Sequence, residues 1–279
     1  VGGQNYYCMG GVNTVGLSTN YQWTTVWTSM AAIPTIRAFH GTSTPSLSAG
    51  IYIYGGADNV NNPTSRSDSY LVDAWSTNTA QPAVRKDGAS AAVSGLSYLW
   101  GGNGVSATNY QMTPGSPSTW ATKTAMTAAR DFNRGSTDNS YGYSIAGGDN
   151  VGTRTTTNYQ YNPSLDTWAT KTAWPQTASN SPAALSISGT IYVSYGDQMV
   201  TPKNDSYVID TWTSRASPPN GNLWFSACSG VSTLGAGFVT GGMDGLLVNH
   251  NYHSEYTPDS WTSKTVLPIV MKNGSGAEL

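Results

Sequence analysis

Residues 51–56 read IYIYGG, and Trp75 follows 19 residues after the second glycine. The run is β-branched and aromatic with short alternation, as strands are. A Gly pair directly behind it permits backbone conformations closed to other residues, so a turn follows there. The arrangement recurs in NYYCMGG (5–11), SYLWGG (97–102), YSIAGG (143–148), IYVSYG (191–196) and GFVTGG (237–242). The second glycine falls at 11, 56, 102, 148, 196 and 242, with spacings of 45, 46, 46, 48 and 46. A Trp follows each by 16 to 20 residues, at Trp27, Trp75, Trp120, Trp168, Trp212 and Trp261. A Tyr precedes each Trp by five to ten residues, at Tyr21, Tyr70, Tyr110, Tyr161, Tyr207 and Tyr256.

Sequences such as YNPSLDTW and YTPDSW read strand, turn, strand, with Asn-Pro or Thr-Pro and Asp supplying turn chemistry. Each period of about 46 residues therefore holds four short strands. No segment has a convincing helical period. Six such units bury their faces by standing side by side in a ring, an all-β six-bladed β-propeller. A linear solenoid needs polar caps at both ends, and these termini are not caps. Read across the join, KNGSGAEL-VGGQNYYCMGG matches RKDGASAAVSGLSYLWGG (85–102). The 37 residues after Gly242 plus the 11 up to Gly11 give 48, one more period. The C-terminal segment is thus expected to supply the innermost strand of the N-terminal blade. Residues 1–279 then form one propeller domain with no free edge.

Composition narrows the function classes. Charged residues are 10% of the 279, against about 25% in an ordinary domain. The 13 Lys+Arg against 15 Asp+Glu supply no basic stripe for nucleic acid. No apolar run approaches the ~18 residues of a membrane span. The 10 Trp and 17 Tyr argue against disorder. The two cysteines, Cys8 and Cys228, lie in apolar runs and read as small buried hydrophobes rather than a bridge. The sequence opens at Val1 rather than Met, as a mature form or a fragment does. Few charges and abundant Ser, Thr, Asn and Gly point to an extracellular or virion surface, as in phage fibres and secreted adhesins.

The strand–GG–Tyr–Trp pattern, with Arg opening the next strand in PTIRAFHG, PAVRKDG and TAARDFN, resembles the kelch repeat. The resemblance covers essentially the whole chain. It implies a propeller but not one function, because kelch propellers include scaffolds, lectin-like binders and a few enzymes. Blade 5 departs from the pattern with Tyr195-Gly196, and blades 5 and 6 lack the Arg. The family's Arg-rich pocket is therefore half present.

The repeat Trp are expected to pack between blades. Lys123, Lys171 and Lys264 are expected to guard the outer sheet edges against pairing with other chains. Two sets of loops are expected to open on one mouth. The loops after Gly-Gly offer Asp58, Asn59, Asn103, Asp149, Asn150, Asp197, Gln198 and Asp244. Those before the innermost strands offer Arg37, His40, Arg85, Asp87, Arg130, Asp131, Arg134, Asn180, Trp224 and Lys272. Arg37, Arg85, Arg130 and Lys272 are expected to ring the channel end, faced by Asp58, Asp149, Asp197 and Asp244. Trp224 offers a stacking platform or packs beneath its loop. Amides, carboxylates, Arg and an aromatic orient hydroxyl-rich ligands or peptides.

The expected function is non-enzymatic recognition or structure. The partner is a cell-surface glycan or a neighbouring assembly protein, with no nucleic acid, membrane insertion, metal or cofactor. The rival is a sugar-modifying enzyme resembling the kelch sialic-acid mutarotases, with Arg beside Asp131 or Asp149. A copper radical oxidase needs two His, two Tyr and a Cys at a metal, and this chain has only His40, His250 and His253. His250 and His253 point to opposite faces of a strand. No Ser sits in a nucleophile elbow. DNVNN (58–62) offers oxygen ligands but lacks the bidentate Glu of a calcium loop.

Overall fold

The computed structural model describes residues 5–279 except 47, 59–60, 103–104, 116, 150–152, 198–201, 222, 225 and 232–233. Blade 1 holds β1 (Tyr6–Met9), β2 (Asn20–Trp23) and β3 (Trp27–Ser29). From the inside outward, blade 2 runs β4 (Gly41–Ser43), β5 (Ile51–Tyr54), β6 (Ser67–Leu71) and β7 (Ala74–Thr77). Blade 3 runs β8 (Ala89–Val93), β9 (Leu96–Trp100), β10 (Asn109–Thr113) and β11 (Thr119–Lys123). Blade 4 runs β12 (Arg134–Thr137), β13 (Gly142–Ile145), β14 (Asn158–Asn162) and β15 (Thr167–Lys171). Blade 5 runs β16 (Ala183–Ile187), β17 (Thr190–Ser194), β18 (Asn204–Val208) and β19 (Thr211–Arg215). Blade 6 runs β20 (Ala227–Val231), β21 (Ala236–Thr240), β22 (His253–Thr257) and β23 (Ser260–Ser263), and β24 (Ser275–Glu278) returns to blade 1. All six sheets are four-stranded and antiparallel. No α-helix occurs among the described residues.

The six innermost strands meet in the order β24, β4, β8, β12, β16, β20, and β20 returns to β24. The fold is a six-bladed propeller. Its ring closes as the termini suggest: β24 pairs with β1, Tyr6 opposite Glu278 and Met9 opposite Ser275. The inner strands approach so closely that a Cβ at Gly135 would overlap the Ser90 carbonyl, and one at Gly230 the Ser186 carbonyl.

The repeat Trp are half-buried, and each spans a blade junction. The indole N–H of Trp75, Trp120, Trp168, Trp212 and Trp261 donates to a backbone carbonyl of the preceding blade, on Ala31, Thr79, Thr124, Thr172 and Ala216, at 2.8–2.9 Å. At three junctions a turn Asp completes a clamp. Asp73, Asp166 and Asp210 accept the N–H of the very residues, Ala31, Thr124 and Thr172, whose carbonyls the Trp takes. Tyr70, Tyr161 and Tyr207 donate their hydroxyls to the same Asp oxygens. At these three junctions the repeated Tyr, Asp and Trp thus form one device that orients a blade against its neighbour. Between the blades lie buried clusters such as Tyr6, Cys8, Phe238 and Leu267.

The turn after the second strand corrects one detail. In every blade two successive residues there have positive φ. In blade 4 they are Ala146 and Gly147 (φ 56 and 96), not the Gly147-Gly148 pair read from the sequence. Blade 5 uses Tyr195 and Gly196 (φ 64 and 122). The first position tolerates a side chain. The second is always glycine because a Cβ there meets the loop before the same blade's innermost strand, as at Gly147, 2.5 Å from the Asp131 carbonyl.

Cys8 and Cys228 are free thiols; Cys8 lies beside Met271, and Cys228 donates to the Ala184 carbonyl.

Candidate functional site

A belt of backbone hydrogen bonds defines the channel mouth. Before each innermost strand one residue adopts positive φ: Phe39 (58), Asp87 (59), Phe132 (50), Ser181 (50) and Asn273 (57). The Phe39 N–H donates to the Asn273 carbonyl (2.9 Å), Asp87 to Phe39 (3.0 Å), Phe132 to Asp87 (2.8 Å) and Ser181 to Phe132 (2.8 Å). The corresponding blade 6 residue, 225, lies outside the described residues.

Two residues before the belt stand Arg37, Arg85 and Arg130, and the structure corrects their expected place. Their carbonyls accept the N–H of Gly11, Gly56 and Gly102 from the preceding blade, at 2.9, 2.6 and 2.7 Å. Their side chains are buried and run outward over the third strand of their own blade. Arg37 donates to Asp68 at 2.7 Å, and Arg66 binds the same carboxylate from the other side. Arg85 donates to the Gly101 carbonyl and to Thr108, and lies 5.0 Å from the Tyr110 ring centre. Burial pushes Arg85 down to about 10, against the pull of Tyr110. Arg130 donates to the Tyr159 hydroxyl at 3.1 Å and lies over that ring. These arginines staple each blade's first loop to its third strand. They form no cationic ring at the mouth.

Between each Arg position and the belt lies one ring position, held by Ala38, which is buried, and by Lys86, Asp131, Asn180, Trp224 and Lys272, which are half-buried. Ladder bridges fix four of them in register, Ala38 with Ala57, Asp131 with Gly148, Trp224 with Met243 and Lys272 with Val12. Lys272 is therefore one residue out of phase with the arginines, whose place in blade 1 is held by Met271. Lys86 donates to Asn61 at 2.7 Å and lies 5.8 Å from the Phe39 ring centre. Lys272 reaches the Met243 sulfur at 3.0 Å. Burial, with a smaller push from Asp149, raises the half-buried Asp131 carboxyl. Trp224 is half-buried. Lys86 and Phe39 are not among the residues expected at the mouth. Their signal was their phase, one and two residues after the periodic Arg in RKDG and RAFH.

The loop carboxylates are also spent on structure. Asp58, Asp149 and Asp244 each accept the N–H four residues on, from Asn62 (2.9 Å), Thr153 (2.8 Å) and Val248 (3.0 Å). Asp244 further holds His250 Nε2 at 2.9 Å. Asp197 sits one position earlier and bridges blades, taking the Arg154 Nε–H at 2.6 Å and the Asn180 N–H at 2.8 Å. These four do not face the arginines as expected. Asn59, Asn103, Asn150 and Gln198 lie outside the described residues. The loop closed by Asp244 holds Leu246, Leu247 and Val248 in solvent, 84%, 66% and 50% exposed. Asn249 ties it to Asn13, in the loop that exposes Val15.

Beneath the belt the channel is a cavity of about 470 Å³. Its walls are small residues of the innermost strands, such as Ser90, Gly135, Ser186 and Gly276, with His40, Asp87, Arg134 and Cys228 among them. His40 bonds Ser275 at 2.7 Å, and burial drives it down to about 3, so it is neutral. His253 is not at the mouth. It stacks on Tyr6 and Phe238 in the core, and burial drives it likewise to about 3. Asp87 is pushed up to about 7 by burial, against the pull of Lys86 and Arg134.

No family model and no curated protein matches the chain. The chain is similar in structure to 235 solved chains, too broad a group for the fold alone to decide function. Among them is the structure of a protein named YjhT, with a TM-score of 0.72 at 11% identity over 88% of each chain.

Proposed function

We propose that this propeller is a non-enzymatic recognition module of the kelch kind, on a virion or secreted surface, that binds a cell-surface glycan through its channel mouth. A neighbouring assembly protein is the other partner class. One observation carries the proposal. The blades repeat their Trp, Tyr, Asp and Gly, yet at the ring position between the Arg place and the belt they differ: Ala38 is buried, and Lys86, Asp131, Asn180, Trp224 and Lys272 are half-buried. The fold asks for no particular side chain there, and the set combines an aromatic face with donors and acceptors of both charges. Trp224 stands between Asn180 and Lys272 in blade order, as a stacking platform flanked by polar groups does.

The sugar-modifying rival keeps one point in its favour, the raised carboxyl of Asp131. It loses the arginines, which turn into the blades. A glycan array run beside a turnover assay on sialic acids separates the two. Binding lost in Trp224→Ala without turnover supports recognition. Turnover lost in Asp131→Asn supports the enzyme.

A further inference from the structure

We propose that the channel binds a small oxyanion, a carboxylate or a sulfate-type group, on the guanidinium of Arg134. Position is the first argument. Arg134 opens β12 opposite Ile145. The residues at that place in the other blades are Gly41, Ala89, Ala183, Ala227 and Ser275. Small residues let six strands converge on an axis, and one blade puts a long cation there instead.

Charge is the second argument. Arg134 reaches the Asn133 carbonyl only at 3.4 Å, a long bond for a guanidinium. Asp87 on blade 3, Arg134 and Cys228 on blade 6 all line the cavity, where burial lowers the Arg134 pKa against the pull of Cys228 and Asp87. Guanidinium does not give up its proton in proteins, and the half-buried Arg134 lines the cavity with no ion pair to a carboxylate among the described residues. Ser136 lies on the same face of β12, with a buried Oγ that has no protein partner among the described residues. An anion in the cavity accepts two parallel bonds from Arg134.

The other titratable groups lining this space are Asp87, Cys228, Glu278 and neutral His40, with Lys86 and Asp131 acting on Asp87. Asp87 is the competing anion, and it is protonated below about pH 7. Anion binding therefore tightens as pH falls from about 8 to 6.

The test measures the melting temperature and affinity of the whole chain in sodium sulfate, sodium acetate and sodium chloride at matched ionic strength, at pH 6 and 8. Wild type is expected to gain stability in sulfate or acetate beyond the chloride baseline, more at pH 6. Which salt acts tells a sulfate-type ligand from a carboxylate. Arg134→Gln is expected to lose the specific gain and at least about tenfold in affinity, while melting no lower than wild type in chloride. Lys123→Gln, on the outer edge, keeps the gain, and so does Trp224→Ala, which separates this site from the mouth. An equal gain in Arg134→Gln, or none beyond chloride in wild type, overturns the proposal.

Discussion

The indole N–H of Trp27 donates to the carbonyl of Thr265 at 2.9 Å, across 238 residues of sequence. The same bond joins every other pair of adjacent blades, so the seam between first and last blade is built like the rest. Two devices act there, this bond and the β24–β1 ladder. Trp27→Phe keeps most of the packing and loses the bond, and is expected to cost about 1 kcal/mol in chemical denaturation. Deleting residues 272–279 removes β24 and uncovers β1 and its neighbours. That truncation is expected to lose cooperative unfolding or to aggregate; an unchanged midpoint contradicts the closure.

Arg37 and Asp68 have side chains 1% and 0% exposed, and Arg66 adds a second cation at 30%. Asp68→Ala strands a buried guanidinium and is expected to cost about 3–5 kcal/mol. Arg66→Ala is expected to cost no more than about 1 kcal/mol, since the pair is partly screened. Equal effects of the two in urea melts contradict the role of Arg37 as a buried staple.

Ala146 and Gly147 test the turn. Gly147→Ala drives a Cβ against the Asp131 carbonyl at a φ of 96 and is expected to cost about 2 kcal/mol or more. Ala146→Gly relieves a left-handed alanine and is expected to change stability by less than about 1 kcal/mol.

Stability should respond to pH through Asp87. Its folded pKa, about 7, lies above its ordinary 3.8, so the folded state holds a proton the unfolded state has released. The contribution is full below pH ~4 and is lost as pH rises through about 7. Asp87→Asn is expected to match wild type near pH 4 and exceed it by on the order of 3 kcal/mol at pH 8. His40 and His253 act oppositely. Held down to about 3, they withdraw stability as pH falls below about 6.5. A flat difference between Asp87→Asn and wild type across this range contradicts the burial of Asp87.

The propeller was legible because its marks are the fold's own joints. Trp27 through Trp261 are junction residues, and the Gly positions are dictated by close backbone approach. The mouth was less legible, because periodicity reports structure before it reports function. Arg37, Arg85 and Arg130 stood out by recurring in phase, and they recur because each staples its own blade. Lys86 was passed over because only Lys272 repeats it, and Phe39 because Phe stands at its position only in alternate blades, as at Phe132. Lys272 was misplaced by one residue because the Arg place in blade 1 holds Met271, with no charge to mark the phase. The Gly-Gly register of blade 4 slipped for a similar reason: Ala146 occupies a place where glycine is usual but not required.

The central claim, that the mouth face does the binding, is met most directly by comparing two double variants with wild type on one glycan array. The mouth pair is Lys86→Ala with Trp224→Ala. The edge pair is Lys123→Ala with Lys171→Ala on the outermost strands. Binding by wild type and by the edge pair, with a loss of at least about tenfold in the mouth pair at unchanged melting temperature, is the predicted result. Binding retained by the mouth pair and lost in the edge pair places the site on the blade flank and contradicts the account.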